Sequence, residues 1–403
     1  MRTAVVVGAG VAGLATAGAL ARSGWHVTLL ERADRLRGNG VALLIWPNGV
    51  RALHALDLGP GLGDIAFPMV AGGIRRPDGR WLVAAEASQA GVEPVVVHAD
   101  DLHDALMAGL GGRIEIRTGV EITTVRAGGA DRPAVGTAKH TFEADLIVAA
   151  DGSHSIIRRR LAPSSVVASA GFAAWRAVIP WFRAPRLSDS VPFAGEMLGA
   201  GHRFLHAMLG ERGSAGNATR GGIYWVATAP GAARPESAET QLLLLRRWFA
   251  GWQAPVTELL EATEPGDLVQ QAGEELRPLP ARFGHPVGSG GFALVGDAAH
   301  VATPNLAQGA CLAFEDAATL RALVGSGVGS GRSLGEALDA YTAERRPRVA
   351  RVATASRRLG FLLQAQGRLT VRARDVALNR MPARWLDRAA QSSVDWQPPP
   401  GLP

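Results

Sequence analysis

Lysine is almost missing. Lys139 is the only one in 403 residues, although lysine and arginine together number 42 against 36 acidic residues. The positive charge is therefore nearly all arginine, dispersed among alanine and glycine. Its densest run, Arg345, Arg346, Arg348, Arg351, Arg357 and Arg358, keeps helical spacing with no aromatic stacking residues between, which argues against a nucleic-acid partner. Cysteine is just as scarce. Cys311 stands alone, which excludes an intramolecular disulfide and fits a reducing, cytoplasmic compartment. No apolar run reaches the ~18 residues of a membrane span. The amino terminus, Met1-Arg2-Thr3, enters a strand pattern directly, so no cleavable leader is expected. Internal repeats are missing, and no metal site is expected.

What is present is a globular composition, 47% hydrophobic and 19% charged, in a chain long enough for two or three domains. Residues 3–8 form a short continuous apolar run, as in a buried parallel strand. Val11 to Ser23 has helical composition and stops at Gly24, and Trp25 to Glu31 (WHVTLLE) predicts a second strand. Together they make a βαβ unit. Residues 73–98 predict β-structure around a Pro77-Asp78-Gly79 turn. A helix is expected from Asp100 to Leu110, and strands near 114–126 and 145–150. From Phe172 to Ala229 the pattern changes to alternating, aromatic-rich strands separated by glycine- and serine-rich turns, including 210–222. That is the mark of an antiparallel sheet with one covered face. A helix is expected over 240–260, a buried strand from Phe292, a long helix over 308–324, a Gly/Ser loop at 325–331 and further helices from Leu334. The parallel material is thus split by an inserted antiparallel sheet.

Three segments carry chemistry. In Gly8-Ala9-Gly10-Val11-Ala12-Gly13, between the first strand and first helix, Gly8 permits the turn, Gly10 admits a pyrophosphate, and Gly13 lets helix and strand pack closely. The free amides of Val11 and Ala12 and the helix dipole favour the anion. Glu31, with Arg32 beside it, closes the second strand where an acid accepts a hydrogen bond from a ribose hydroxyl of FAD or NAD. The second segment, LVGDAAHVATPNLAQGACLAFED (294–316), repeats the arrangement: a strand, an acid at Asp297, a loop through Pro304, and a helix opening at Gln308-Gly309-Ala310. Asp297 is expected to bind a ribityl hydroxyl or a nearby phosphate-side group. The amides of Gly309 and Ala310 are expected to face the flavin N1–C2=O edge, where positive potential stabilises anionic reduced flavin. DLIVAADG (145–152) adds a third strand-end acid, Asp151.

These three segments, in this order, resemble the single-component FAD-dependent monooxygenases of the para-hydroxybenzoate hydroxylase fold, on the salicylate hydroxylase and zeaxanthin epoxidase side. The resemblance covers about residues 3–360. It implies an α/β fold: a discontinuous Rossmann-like FAD-binding domain of the glutathione-reductase type (1–72, 98–165 and 276–333) with an inserted antiparallel β-sheet substrate domain (73–97 and 166–275). C-terminal helices (334–390) and a poorly ordered tail (391–403) would follow. It implies FAD as cofactor, NADH or NADPH as transient reductant, and dioxygen as co-substrate. Oxygen transfer to an electron-rich aromatic or polyketide-like small molecule would pass through a flavin C4a-hydroperoxide kept from water. A monomer or homodimer is expected. Pro304 is expected beside the flavin face and His300 behind it. Arg176, His206 and Trp225 are candidates for the substrate pocket, with His206 assisting phenol deprotonation at a near-neutral pKa.

Two positions depart from the family. Ala99 stands where an arginine usually helps hold FAD, and Ala307 replaces the first glycine of a GQG motif. A non-redox cyclase, isomerase or binding protein on the same fold is the alternative they raise. A halogenase is disfavoured, because Trp175-Arg-Ala-Val-Ile-Pro180 has Ala177 where a second tryptophan belongs and Lys139 lies in a polar turn.

Overall fold

The computed structural model describes all residues except 1, 37, 39, 70–71, 85–93, 113, 129–131, 190, 211–219, 326–332, 382–390 and 401–403. Its parallel sheet is centred on Thr3–Val7, flanked by His26–Leu30 and Leu146–Ala149. Ile114–Arg117 extends one side and Gly290–Leu294 the other, and Gly284–Val287 closes that second edge antiparallel. The central strands are mostly apolar, residues 5–7 and Leu146–Ala149 without a polar residue, because both faces are covered. Leu146–Ala149 and Gly290–Leu294 are buried throughout. Helices Val11–Arg22 and Gly309–Gly325 pack against each other over this sheet. Both are alanine-rich and almost wholly buried, so neither shows an amphipathic stripe.

The second sheet has seven strands, in the order Val269–Arg277, Val166–Pro180, Gly222–Pro230, Arg203–Met208, Ala194–Leu198, Ile74–Arg75, Trp81–Val83. Only the Ala194–Leu198 and Ile74–Arg75 pair is parallel. Side chains alternate along each strand. Trp175, Ala177 and Ile179 point to one side, where they pack with Phe204, Trp225 and the helices Ala238–Trp248 and Val256–Ala262. Val178, Ala207 and Tyr224 point to the other, against Val41, Ala42, Val96 and Ala99. On the helix-covered side the indole N–H of Trp175 donates to Gln241 Oε1 at 2.9 Å, and that of Trp225 donates to Thr263 Oγ1 at 2.9 Å. Phe204 stacks on Trp225 with ring centroids 5.4 Å apart. The aromatic wealth of this sheet is core packing.

Several sequence expectations change in detail. Val95–His98, assigned with 73–97 to the inserted sheet, pairs instead with Ala42–Ile45 and Ala66–Pro68 in a small separate sheet. Its unbroken Val95-Val96-Val97 run suits burial on both faces. Residues 114–126 hold two strands, the second of which (Thr124–Arg126) joins a meander with Ala134–Gly136 and Thr141–Glu143. The 240–260 helix divides between Trp248 and Val256, around Pro255. The tail is docked: Arg51 Nε donates to the Trp396 carbonyl at 3.0 Å, Arg348 pairs with Asp395 at 2.7 Å, and Val394 is buried. Carbonyls captured by distant arginines leave no pattern in a Pro-rich sequence. The expected turn at 211–219 and loop at 326–331 lie outside the described residues. No described helix is long and apolar enough to cross a membrane.

Trp225 is fully buried in this core. Truncation to alanine leaves a large cavity and removes the donor to Thr263 Oγ1, which keeps its own bond to the Leu259 carbonyl, so Trp225→Ala should lower unfolding stability by about 3–5 kcal/mol. Urea denaturation followed by circular dichroism measures it.

Candidate active site

Three neighbouring parallel strands end at one edge of the first sheet, and each is followed by one of the motifs. Thr3–Val7 leads into Gly8, Leu146–Ala149 into Asp151-Gly152, and Gly290–Leu294 into Gly296-Asp297. Ligands of open α/β sheets gather outside such carboxyl ends. The glycines here are steric requirements. Gly8 has φ +103°, and a Cβ on it would stand 2.3 Å from the Ala150 carbonyl oxygen; one on Gly13 would stand 1.8 Å from that of Gly8. A Cβ on Gly10 or Gly309, by contrast, would meet no atom within 4 Å. Those two residues open the two long buried helices, so both helix N-termini face free space. Gly296 lies between them, since a Cβ there would approach Ala12 Cβ to 2.7 Å and Ala313 Cβ to 3.4 Å.

The acids stand around this space. Glu31 accepts from the Ala9 amide (2.8 Å) and the Ala33 amide (2.9 Å), which orients it at the outer end of the first turn, next to the exposed Arg32. Asp151 Oδ2 accepts from the Ile156 amide at 2.9 Å while its Oδ1 is buried without a partner, and burial raises its pKa. Asp297 is densely surrounded by protein yet keeps exposure to solvent. Burial raises its pKa, tempered by His300, Arg176 and Arg158. Arg158 ties two of the turns together, donating to the Ser153, Asp297 and Ala298 carbonyls. Behind Asp297, His300 Nε2 lies 2.6 Å from Asp316 Oδ2, which also accepts from the Gly296 amide at 2.9 Å. Burial alone would depress His300, but Asp316 outweighs it and holds the imidazole above its ordinary value. Pro304 opens a single 3-10 turn that ends at Ala307.

The substrate candidates divide by strand alternation. Arg176 lies opposite Val226 and on the same side as Val178 and Tyr224, and its charge reaches Asp297; its Nε is buried without a partner. Trp225 and His206 are on the other side, and both expectations are corrected. Trp225 is locked in the helix-covered core. His206 is 2% exposed, with Nε2 donating to the Pro192 carbonyl at 3.1 Å, and burial pushes its pKa down to about 4. Gly8, Gly10, Val11, Ala12, Gly13, Asp151, Asp297, Gly309 and Ala310 lie at the loops and helix starts that follow the three parallel strands, and the Arg176 charge reaches Asp297 from the second sheet.

Sequence reasoning missed Tyr224, which is fully buried with Arg176 and Arg203 as its charged neighbours, and the Arg203–Glu196 pair on that same face. Once Arg176 is placed, the period of two marks them: 224 and 203 follow from the strand register.

Two helix N-termini open to free space and three strand-end acids at one sheet edge offer a dinucleotide the anion-binding amides and hydroxyl acceptors it needs. Comparison with known proteins agrees. The family model described as an FAD binding domain matches residues 1–356. The chain belongs to the FAD-binding-domain family of flavoprotein monooxygenases. It is 27% identical to the aurachin C monooxygenase/isomerase of Stigmatella aurantiaca, over 98% of each chain, and 32% identical to a 2-heptyl-3-hydroxy-4(1H)-quinolone synthase of Pseudomonas aeruginosa, over 80% of each. Among solved structures, Klebsiella pneumoniae HpxO complexed with FAD and uric acid superposes with a TM-score of 0.81 at 25% identity, covering 98% of this chain and 96% of that one. The family establishes an FAD-dependent monooxygenase acting on a small molecule, and the residues present fit FAD.

Both family departures are visible. Ala99 is buried against Val41 and Val178 and offers the cofactor no charge. Ala307 sits at φ +50°, ψ +35°, in the left-handed region. A side chain there costs on the order of 1 kcal/mol. Ala307→Gly should therefore raise unfolding stability by about 1 kcal/mol and tighten FAD binding, as measured by urea denaturation and flavin titration.

His206 yields a pH prediction. Its folded pKa of about 4 lies below the ordinary 6.5. The unfolded chain takes up a proton that the native state refuses, so the stability present above pH 6.5 is lost as pH falls toward 4. His206→Asn should remove up to about 3 kcal/mol of that dependence. Denaturation curves at pH 7 and pH 4.5, compared with the parent chain, would show it.

Proposed function

We propose that this flavoprotein uses NADH or NADPH and dioxygen to hydroxylate a flat, electron-rich aromatic or nitrogen-heterocyclic substrate, returning the second oxygen atom as water. The observation that carries this reading is the opposition of Arg176 on the antiparallel sheet to Asp297 and the free N-terminus of helix Gly309–Gly325 on the parallel one. A planar molecule held between them is gripped by charge on one side and faces the cofactor on the other. Relatives named for a quinolone and a solved complex with uric acid support a ring of this kind.

Each residue then has a task. The Gly8–Gly13 turn and the amides of Val11 and Ala12 bind the pyrophosphate; Glu31, with Arg32 at the rim, binds the adenosine ribose. Asp297 accepts from the ribityl chain, and Asp151 holds its turn with one oxygen left for a ligand donor. The amides of Gly309 and Ala310 stabilise negative charge on the ring system, and Pro304 limits access to its face. When bound, FAD supplies the redox chemistry that links the nicotinamide to dioxygen. Arg176 and Tyr224 orient the substrate, and the buried neighbourhood of Tyr224, where desolvation raises the phenol pKa, keeps water from the reacting face.

The test begins with spectra. Purified protein titrated with FAD should show the flavin bands near ~370 and ~450 nm and lose them on NADH or NADPH addition. No bound flavin at saturating FAD would overturn the reading. Asp297→Ala should weaken FAD binding by roughly tenfold or more, the loss of a charge-assisted hydrogen bond. Arg176→Met should leave FAD affinity within about twofold but lower kcat/KM for the substrate by roughly 10–100-fold.

A further inference from the structure

The helix Arg368–Arg380 buries charge and exposes apolar groups along part of its length. Its buried side carries an ion pair, Arg374 with Asp375 at 2.7 Å. Arg374 also donates to the Gly199 carbonyl at 2.7 Å, and Asp375 accepts from Arg76 at 2.8 Å. Its outward side carries apolar groups: Leu369 is 84% exposed and Val376 44% exposed, with Ala373 between them on the same helical face. Met381 at the end of the helix is also exposed, as is Phe361 (75%) near the end of the preceding helix Leu334–Leu363, which shares the Leu363–Leu378 cluster with this one. Arginines frame it. Arg351, Arg358, Arg368, Arg372 and Arg380 are all exposed, and the only acid between 345 and 381 is the buried Asp375. A helix normally keeps its apolar stripe inside; this one buries the Arg374–Asp375 pair beside Leu378 and leaves Leu369 and Val376 in solvent among its own exposed arginines, and the exposed Arg351 and Arg358 of the preceding helix add to that positive charge.

We propose that this face is a docking surface for an anionic lipid bilayer, with Leu369, Val376 and Phe361 entering the headgroup–acyl boundary and the arginines resting on lipid phosphates. Charge complementarity selects this occupant. A second copy of the chain would set the same five arginines against one another, and a nucleic acid gives Leu369 and Val376 nothing to bury. The mixture of isolated apolar side chains with arginine and no acid matches what an interfacial helix needs. The surface also adjoins the second sheet. Leu363 and Leu378 pack on Leu198, and Gln364 donates to Thr228 on the Arg176 side of the sheet. A chain bound this way presents the flank of its substrate cleft to the membrane. The binding itself is independent of which substrate is oxidised.

Vesicle co-sedimentation with the full chain tests this, using phosphatidylglycerol/phosphatidylcholine vesicles against pure phosphatidylcholine, at low and high salt. Binding should favour the anionic vesicles and weaken with salt. The pair Arg372→Glu and Arg380→Glu should lower the partition coefficient by roughly 25-fold, about fivefold for each arginine lost. Leu369→Asp with Val376→Asp should abolish binding, whereas the charge-matched control Arg160→Glu with Arg247→Glu, both exposed elsewhere, should leave it within about twofold. All variants should keep the parent chain's circular dichroism and FAD affinity. Equal binding to both vesicle types, loss of binding in the control as great as in the Arg372/Arg380 pair, or no binding at all would overturn the proposal. So would a change of oligomeric state in Leu369→Asp without any effect on vesicles, which would assign the face to a second copy instead.

Discussion

Two consecutive acids, Glu315 and Asp316, organise the site from beneath. Neither is exposed, and each would be ruinous to bury alone. Arg345, itself 1% exposed, bridges them, with Nη1 at 2.6 Å from Glu315 and Nε at 2.8 Å from Asp316. Arg348 adds a second cation to Glu315 and pairs outward with Asp395. His300 Nε2 lies against Asp316, whose charge and hydrogen bond raise the imidazole pKa. Two arginines and a histidine thus meet three carboxylates. Burial pushes the Glu315 and Asp316 pKa values up, but Arg345 and its companions outweigh it and hold both below their ordinary range. A balanced cluster of this kind is a geometric device more than a source of stability, because every member must be in place for the others to be tolerated.

That constraint reaches everything the cofactor would touch. Asp316 captures the Gly296 amide and so fixes the turn that presents Asp297. Glu315 accepts from Asn48, which also donates to Gln308, the residue just before the open helix N-terminus at Gly309. Arg348 and Arg51 hold the carbonyls of 393, 394 and 396, so the far end of the chain closes the same cluster. The anion-binding amides are thereby aimed by residues that never meet the ligand. The one element in this frame under backbone strain is Ala307, between Pro304 and Gln308. Its neighbours are fixed on both sides: Asn305 donates to the Ser356 carbonyl and Gln308 accepts from Asn48. The surroundings therefore over-determine the left-handed conformation that glycine would adopt freely.

Much of the fold was legible because its signals are local. The Gly8–Gly13 turn, the buried strands at 3–7, 146–149 and 290–294, and the second helix start at Gly309 each follow from composition over a few residues. The outer strands were harder. Val95–His98 looks like any strand, and only its partners decide which sheet owns it. The buried cluster was hidden for a related reason. Arg345 and Arg348 look like a solvated helical face in sequence, and nothing within ten residues of them reveals the two acids one helix earlier that take them inside.

The substrate face shows the same limit most sharply. His206 and Arg176 are both polar residues on strands of one sheet, and strand assignment alone makes them equal candidates. What separates them is parity. Trp225 and His206 are register partners, so they share a face, while Arg176 is paired with Val226, one residue along, and must point the other way. Which of the two faces meets the cofactor is then decided by the helices Ala238–Trp248 and Val256–Ala262, whose Leu242, Leu245 and Leu259 need the tryptophan side for their own burial. Hydrophobic demand from those helices takes one face of the sheet, and the polar set of Arg176, Tyr224, Arg203 and Glu196 is left on the face that looks toward Asp297. The site's polarity is in this sense set by the packing of elements that lie wholly behind it.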